Sequence, residues 1–127
     1  MNTGYSVDLE KATHENTLYR KVLFTGPKSQ LVLMCLQPGE EIGMETHPTI
    51  DQFIRVESGE GKAIIGGHEY ALVDGVAVVI PAGTAHNVIN TSTSQLLKLY
   101  TVYTPPEHPD GTIHKTKQEA DAAEHHH

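Results

Sequence analysis

The chain has 127 residues, enough for one folded domain with a core of its own and too few for two. Hydrophobic residues make up 38% and charged residues 20%, which favours neither disorder nor membrane insertion. The net charge is −7 and the nine Lys and Arg are scattered, so the basic footprint of a nucleic-acid partner is missing.

The chain opens with MNTGYSVDLEKATHEN, which has neither the basic-then-apolar order of a signal peptide nor the acid-poor character of a transit peptide. A cytoplasmic protein that does not engage a membrane is therefore expected. Leu18 to Phe24 reads as a strand, and TGPKS after it is turn chemistry. QLVLMCLQ follows and contains Cys35, the single cysteine. That count excludes an internal disulfide and fits a reducing compartment, and the apolar surroundings predict a buried, inert thiol.

From there the chain is a series of short apolar runs: QFIRVE, GKAIIGG, YALV, GVAVVIP, HNVIN and QLLKLYTVY. Each is bounded by Gly, Pro, Asn, Asp or Ser, and they recur at roughly 8–12 residues, the pattern of an all-β sandwich or barrel. No sustained helical period interrupts them. Gly66-Gly67 and Asp74-Gly75 supply the positive φ angles that hairpin turns need. After Tyr103 come Pro105, Pro106 and Pro109, which cannot donate to a β-ladder. The expected division is a barrel over residues 1–104, including the N-terminal strand, and an extended arm over 105–127, with a short helix at KTKQEADAA. The chain ends in EHHH, where His125 to His127 are either a tag remnant or the natural end and carry no fold information.

Chemistry gathers in two stretches. Glu45 and His47 are two apart, so on a strand they share a face. A returning strand beginning at Gln52 brings its amide beside them. If Gln52 faces inward, so do Ile54 and Val56, leaving Phe53, Arg55 and Glu57 on the solvent side. In the second stretch Gly75, Pro81 and Gly83 precede His86 and Asn90, as in a turn built to aim one imidazole. Glu45, His47, Gln52 and His86 thus read as four donors converging on one divalent metal. Two imidazoles with two oxygen ligands favour Mn, Fe, Ni or Zn over Ca or Mg. Asn90 and Thr84 are expected in the turn that orients His86. His68 reads as a surface residue, His108 and His114 belong to the arm, and Tyr100 and Tyr103 have opposite parity, so at most one faces the interior.

These stretches, PGEEIGMETHPTIDQFIRVESGEG and DGVAVVIPAGTAHNVIN, resemble the two signature motifs of the cupin superfamily. The second motif, G-x5-P-x-G-x2-H-x3-N, is met at Gly75, Pro81, Gly83, His86 and Asn90. The first, G-x5-H-x-H-x(3,4)-E-x6-G, is met at His47 and Gly59, with Glu45 in place of the first histidine and Gln52 in place of the glutamate. That exchange moves the ligand charge without changing its total. The chain looks most like the small single-domain bacterial cupins grouped as mannose-6-phosphate isomerase-like. The resemblance implies a double-stranded β-helix, jelly-roll-like barrel with a metal near its mouth, in a homodimer. The function expected is a metal-dependent enzyme acting on a small oxygen-rich molecule, sugar- or keto-acid-like, by isomerase or lyase chemistry. The alternatives are a non-catalytic small-molecule or sugar-binding module and a metal-dependent dioxygenase.

Overall fold

A computed structural model describes residues 4–124. In chain order the elements are α1 (Leu9–Glu15), β1 (Arg20–Thr25), β2 (Gln30–Leu36), β3 (Asp51–Ser58), β4 (Glu60–Ile65), β5 (His68–Val73), β6 (Ala77–Ile80), β7 (His86–Asn90), β8 (Leu97–Thr104), β9 (Ile113–His114) and α2 (Lys117–Glu124). Every apolar run noted in the sequence contributes a strand. Helix α1 was not expected. It spans seven residues, of which only Thr13 is buried, so it leaves no apolar period to read. Its local signals are the Asp8 side chain, which accepts from the Lys11 N–H at 3.2 Å, and Asn16, whose N–H closes the last turn on Ala12 and Thr13.

The strands form two antiparallel sheets, one ordered β6-β3-β8-β2-β1-β9 and the other β5-β4-β7. Together they make a double-stranded β-helix. Directly opposed residues share a face of a sheet, so the register fixes the rows that line the interior. One row runs Gln30, Tyr103, Gln52, Ile80. The next is Val22, Val32, Thr101, Ile54, Val78, and the third is Arg20, Met34, Leu99, Val56. Apart from Thr101 in the middle row and Arg20 in the third, these two rows are apolar and buried, and with Leu36, Ala63, Leu72, Val88 and Leu97 they supply the core. The first row is polar in three of its four positions, and it borders the residues with candidate chemistry.

The expected outward position of Glu57 needs correction, because its residue is only 3% exposed. The pairing of β3 with β8 shifts register between Val56 and Ser58, so simple alternation fails at Glu57. Helix α1 packs on β3 and β8. The Glu57 carboxylate lies 3.3 Å from Arg55 Nε, which partly compensates its burial.

Residues after Thr104 return to the barrel. Buried Gln30 makes four hydrogen bonds, three of them to this return. Its Oε1 accepts from the N–H groups of Glu107 and His108 at 3.2 and 3.0 Å, and its Nε2 donates to the His108 carbonyl at 2.7 Å and to Thr25 Oγ1 at 2.9 Å. Farther on, β9 pairs with β1 at Arg20 and Lys21, and α2 buries Ala120 in the core. Among the described residues no helix is long and apolar enough to cross a membrane.

Candidate metal centre

The segment before β3 has no long strand, yet residues 40–45 run beside β7 through main-chain hydrogen bonds. Asn90 donates to the Glu40 carbonyl and Ile42 to the Val88 carbonyl, each at 2.9 Å. At the end of this run Glu45 and His86 exchange both bonds, at 2.8 and 2.9 Å. A reciprocal pair of this kind puts the two side chains next to each other on one face. The His47 carbonyl then accepts from the Gly83 N–H at 2.9 Å. Gly83 has φ +82°, a conformation that side chains rarely adopt, so glycine there lets the turn before β7 close on His47. Gly59, the last position of the first motif, answers a different need: a Cβ on it would come within 2.2 Å of the Leu96 carbonyl oxygen.

One ligand atom from each of Glu45, His47 and His86 lies within 4.8 Å of the others. His86 Nδ1–H donates to the Thr84 carbonyl at 2.9 Å, which fixes the tautomer and leaves a lone pair on Nε2. That Nε2 is buried and has no hydrogen-bond partner. Burial holds the His86 pKa below the usual imidazole value, outweighing the Thr84 bond, and so favours the neutral form a ligand requires. His47 is oriented from the opposite side, its Nδ1–H donating to Glu107 Oε2 at 3.2 Å, while its Nε2 lies 4.0 Å from Glu45 Oε1. The Glu107 bond raises the His47 pKa against the effect of burial, and the same bond holds the Glu107 carboxyl below its ordinary range.

Gln52 lies on the adjoining interior row, 4% exposed. Its Nε2 donates to Thr101 Oγ1 at 3.0 Å, and its Oε1 is buried without a partner. The amide is therefore held with its carbonyl oxygen as the uncommitted end. The His47 ring meets Tyr103, Gln52's cross-strand neighbour, edge-on at 6.1 Å. Two imidazoles and a carboxylate, one nitrogen buried with nothing to bond, form a donor set that fits a divalent transition ion.

Thr84 orients His86 through its main-chain carbonyl. Asn90 does not: its Nδ2 donates to the carbonyls of Leu36 and Gln95 and its Oδ1 accepts from the Ser92 N–H, so it staples the loop after β7. The sequence reading did not find Glu107 or Arg20. Glu107 lies in a proline-rich stretch with no local signal for a barrel contact, and the residue that delivers it, Gln30, is 77 positions away. The alternation of Arg20 with Val22 was the available clue to an inward arginine. A groove of about 430 Å³ lined by residues of α1 and β1, Ala12, Lys21 and Leu23 among them, contains none of these groups.

The model of a family described as "Cupin domain" matches residues 32–103, which span both motif stretches. The chain is 46% identical over 126 residues to the uncharacterized protein YrkC of Bacillus subtilis (strain 168), covering 94% of this chain and 67% of that protein. It is also 46% identical over 115 residues to the uncharacterized protein L612 of Acanthamoeba polyphaga mimivirus, covering 88% of this chain and 72% of the other. Among solved structures, BH2720 from Bacillus halodurans superposes with a TM-score of 0.90 at 45% identity, with 93% of each chain covered.

Proposed function

The chain belongs to the cupin family, and we propose on that premise that it holds one divalent transition ion through Glu45, His47 and His86, with Gln52 as the fourth donor. The reading places the ion beside a small oxygen-rich ligand, sugar- or keto-acid-like, as a metal-dependent enzyme would. The single observation that carries it is the buried, unpartnered Nε2 of His86 in a cluster whose ligand atoms lie within 4.8 Å of one another. Two imidazoles argue for Mn, Fe, Ni or Zn. Bound there, such an ion supplies Lewis acidity toward an oxygen donor.

The chain's own residues prepare the site. Thr84 fixes the His86 tautomer, Glu107 holds the His47 ring, and Thr101 turns the Gln52 amide so that its oxygen stays uncommitted. Tyr103, kept protonated by burial, sets its ring edge-on to His47. We also assign the protein as a homodimer, a state that sedimentation of purified protein reads directly.

One observation favours the binding module as the second reading. Burial keeps Tyr103 protonated and pushes the His108 pKa down to about 3, so neither exchanges protons near neutral pH. Proton transfer would fall to Glu45, His47 or Glu107, which the first reading already uses as two of the ligands and as the acceptor for His47. Elemental analysis of untagged protein tests the metal reading against Glu45→Ala and His86→Ala. Near-stoichiometric metal is expected in wild type alone, and equal trace metal in all three proteins refutes the assignment. Turnover assays on sugars and keto acids, with oxygen uptake for dioxygenase chemistry, then separate enzyme from module.

A further inference from the structure

Arg20 opens β1 on the interior face, since its direct partner is Met34, followed across the sheet by Leu99 and Val56. It is 4% exposed. Its Nη1 donates to His114 Nδ1 at 3.2 Å, its guanidinium carbon sits 5.2 Å from the centre of the Tyr19 ring, and its Nε–H is buried with no acceptor. A guanidinium cannot shed its charge, so its burial is costly unless a partner completes it.

Three more unpartnered buried atoms lie around a second tyrosine, Tyr103. They are Gln52 Oε1, His86 Nε2 and His108 Nε2. Gln52 is the cross-strand partner of Tyr103, His108 meets the Tyr103 ring at 5.2 Å, and His86 is linked to it through His47, at 5.2 and 6.1 Å. Arg20 acts electrostatically on Tyr103, His108, His47 and Glu107. In the metal reading the ion takes His86 Nε2 and Gln52 Oε1, which leaves Arg20 Nε–H and His108 Nε2 to be met by a polar ligand, since buried polar groups are nearly always satisfied. The ligand's charge follows from the groups around it. With neutral imidazoles, a divalent ion and Arg20 outweigh Glu45 and Glu107 by one positive charge.

We propose that Arg20 binds the carboxylate of a small anionic ligand whose adjacent oxygen lies toward His47 and His86, so that the site takes 2-oxo or 2-hydroxy acids rather than neutral sugars. This rests on the metal reading above and names its ligand class. Arg20 is a binding residue for that ligand, and its charge and paired N–H groups match a carboxylate.

The chain has only two arginines, which makes the test direct. In full-length protein labelled with ¹⁵N-arginine, two Nε–H signals report Arg20 and Arg55, and Arg55 is an internal control because it is 43% exposed at its side chain and faces Glu57. Pyruvate and its neutral isostere pyruvamide are added to zinc-loaded protein and to protein treated with chelator. The Arg20 signal is expected to move with pyruvate and not with pyruvamide, with more pyruvate needed after chelation, while Arg55 stays in place. Arg20→Gln is expected to weaken pyruvate binding about 10- to 100-fold with zinc content unchanged. Should zinc not be retained and the Arg20 signal still move with pyruvate, the metal reading fails and the carboxylate site stands. An Arg20 signal unmoved by pyruvate in both states, or moved equally by pyruvamide, overturns the proposal. So does an Arg20→Gln variant that folds and binds pyruvate as tightly as wild type. If that variant does not fold, the wild-type signal decides.

Discussion

Replacing Gln30 with leucine removes four hydrogen bonds at one buried point while keeping an apolar side chain of similar bulk. Gln30 is 1% exposed, and the groups it leaves behind are two main-chain N–H groups, one carbonyl and the Thr25 hydroxyl, at distances between 2.7 and 3.2 Å. At about 1 kcal/mol for each net bond the full loss is about 4 kcal/mol. Glu107 and His108 are only partly buried, so water can recover part of this, which lowers the expected loss to about 2 kcal/mol at the least. Urea unfolding should show a lower midpoint with an unchanged slope, and thermal unfolding a drop of about 10 °C. Zinc affinity, measured on the same variant, should fall as well, because Gln30 anchors the segment that carries Glu107. A stability loss under about 1 kcal/mol would refute the idea that this clamp holds residues 107–108 to the barrel.

Glu107→Ala removes the acceptor of His47 Nδ1–H and should cost about 10- to 100-fold in zinc affinity, with Glu107→Gln intermediate because it keeps an oxygen acceptor. Competition titration against a chelator measures this, and equal affinity in all three proteins would exclude the orienting role. Among the groups that matter at alkaline pH are Cys35 and Tyr19, both held above their ordinary pKa by burial, with Lys98 and Arg20 respectively opposing the shift. Both stay neutral when folded and ionise earlier when unfolded. Their contribution is therefore fully present below the ordinary values and is lost as pH rises past about 8.5 for the thiol and about 10 for the phenol. Thermal unfolding from pH 7 to 11 should show a plateau and then a decline, and Cys35→Ala should delay the onset. Unfolding temperatures that hold steady or rise up to pH 11 would contradict the assignment.

The strands were legible because each carries its apolar residues in one short run closed by turn residues, as in QLVLMCLQ before a proline. His86 was legible for a related reason, since Gly83 and Pro81 encode a turn within five residues of it. Glu57 was misread because a bulge breaks the alternation that a sequence shows, and only the pairing of β3 with β8 reveals it. Glu107 was invisible because its place depends on a side chain in β2, and nothing near Pro105 or Pro106 encodes that contact. Arg20 marks a different limit. Its alternation with Val22 was present, but an arginine on a strand is ordinarily read as solvent-facing.

The double main-chain link between Glu45 and His86 also bears on how such a site can diversify. The separation of these two positions is set by amide and carbonyl groups that nearly every residue possesses, so whatever side chain occurs at 45 is delivered to the same address. A glutamate can then stand where an imidazole is usual, and the compensating change can be made separately at Gln52 on another strand. The barrel acts as a socket whose contacts can be rewired one at a time without rebuilding the frame. Evolution can in this way explore new metal preferences by single substitutions, each tried on a protein that still folds.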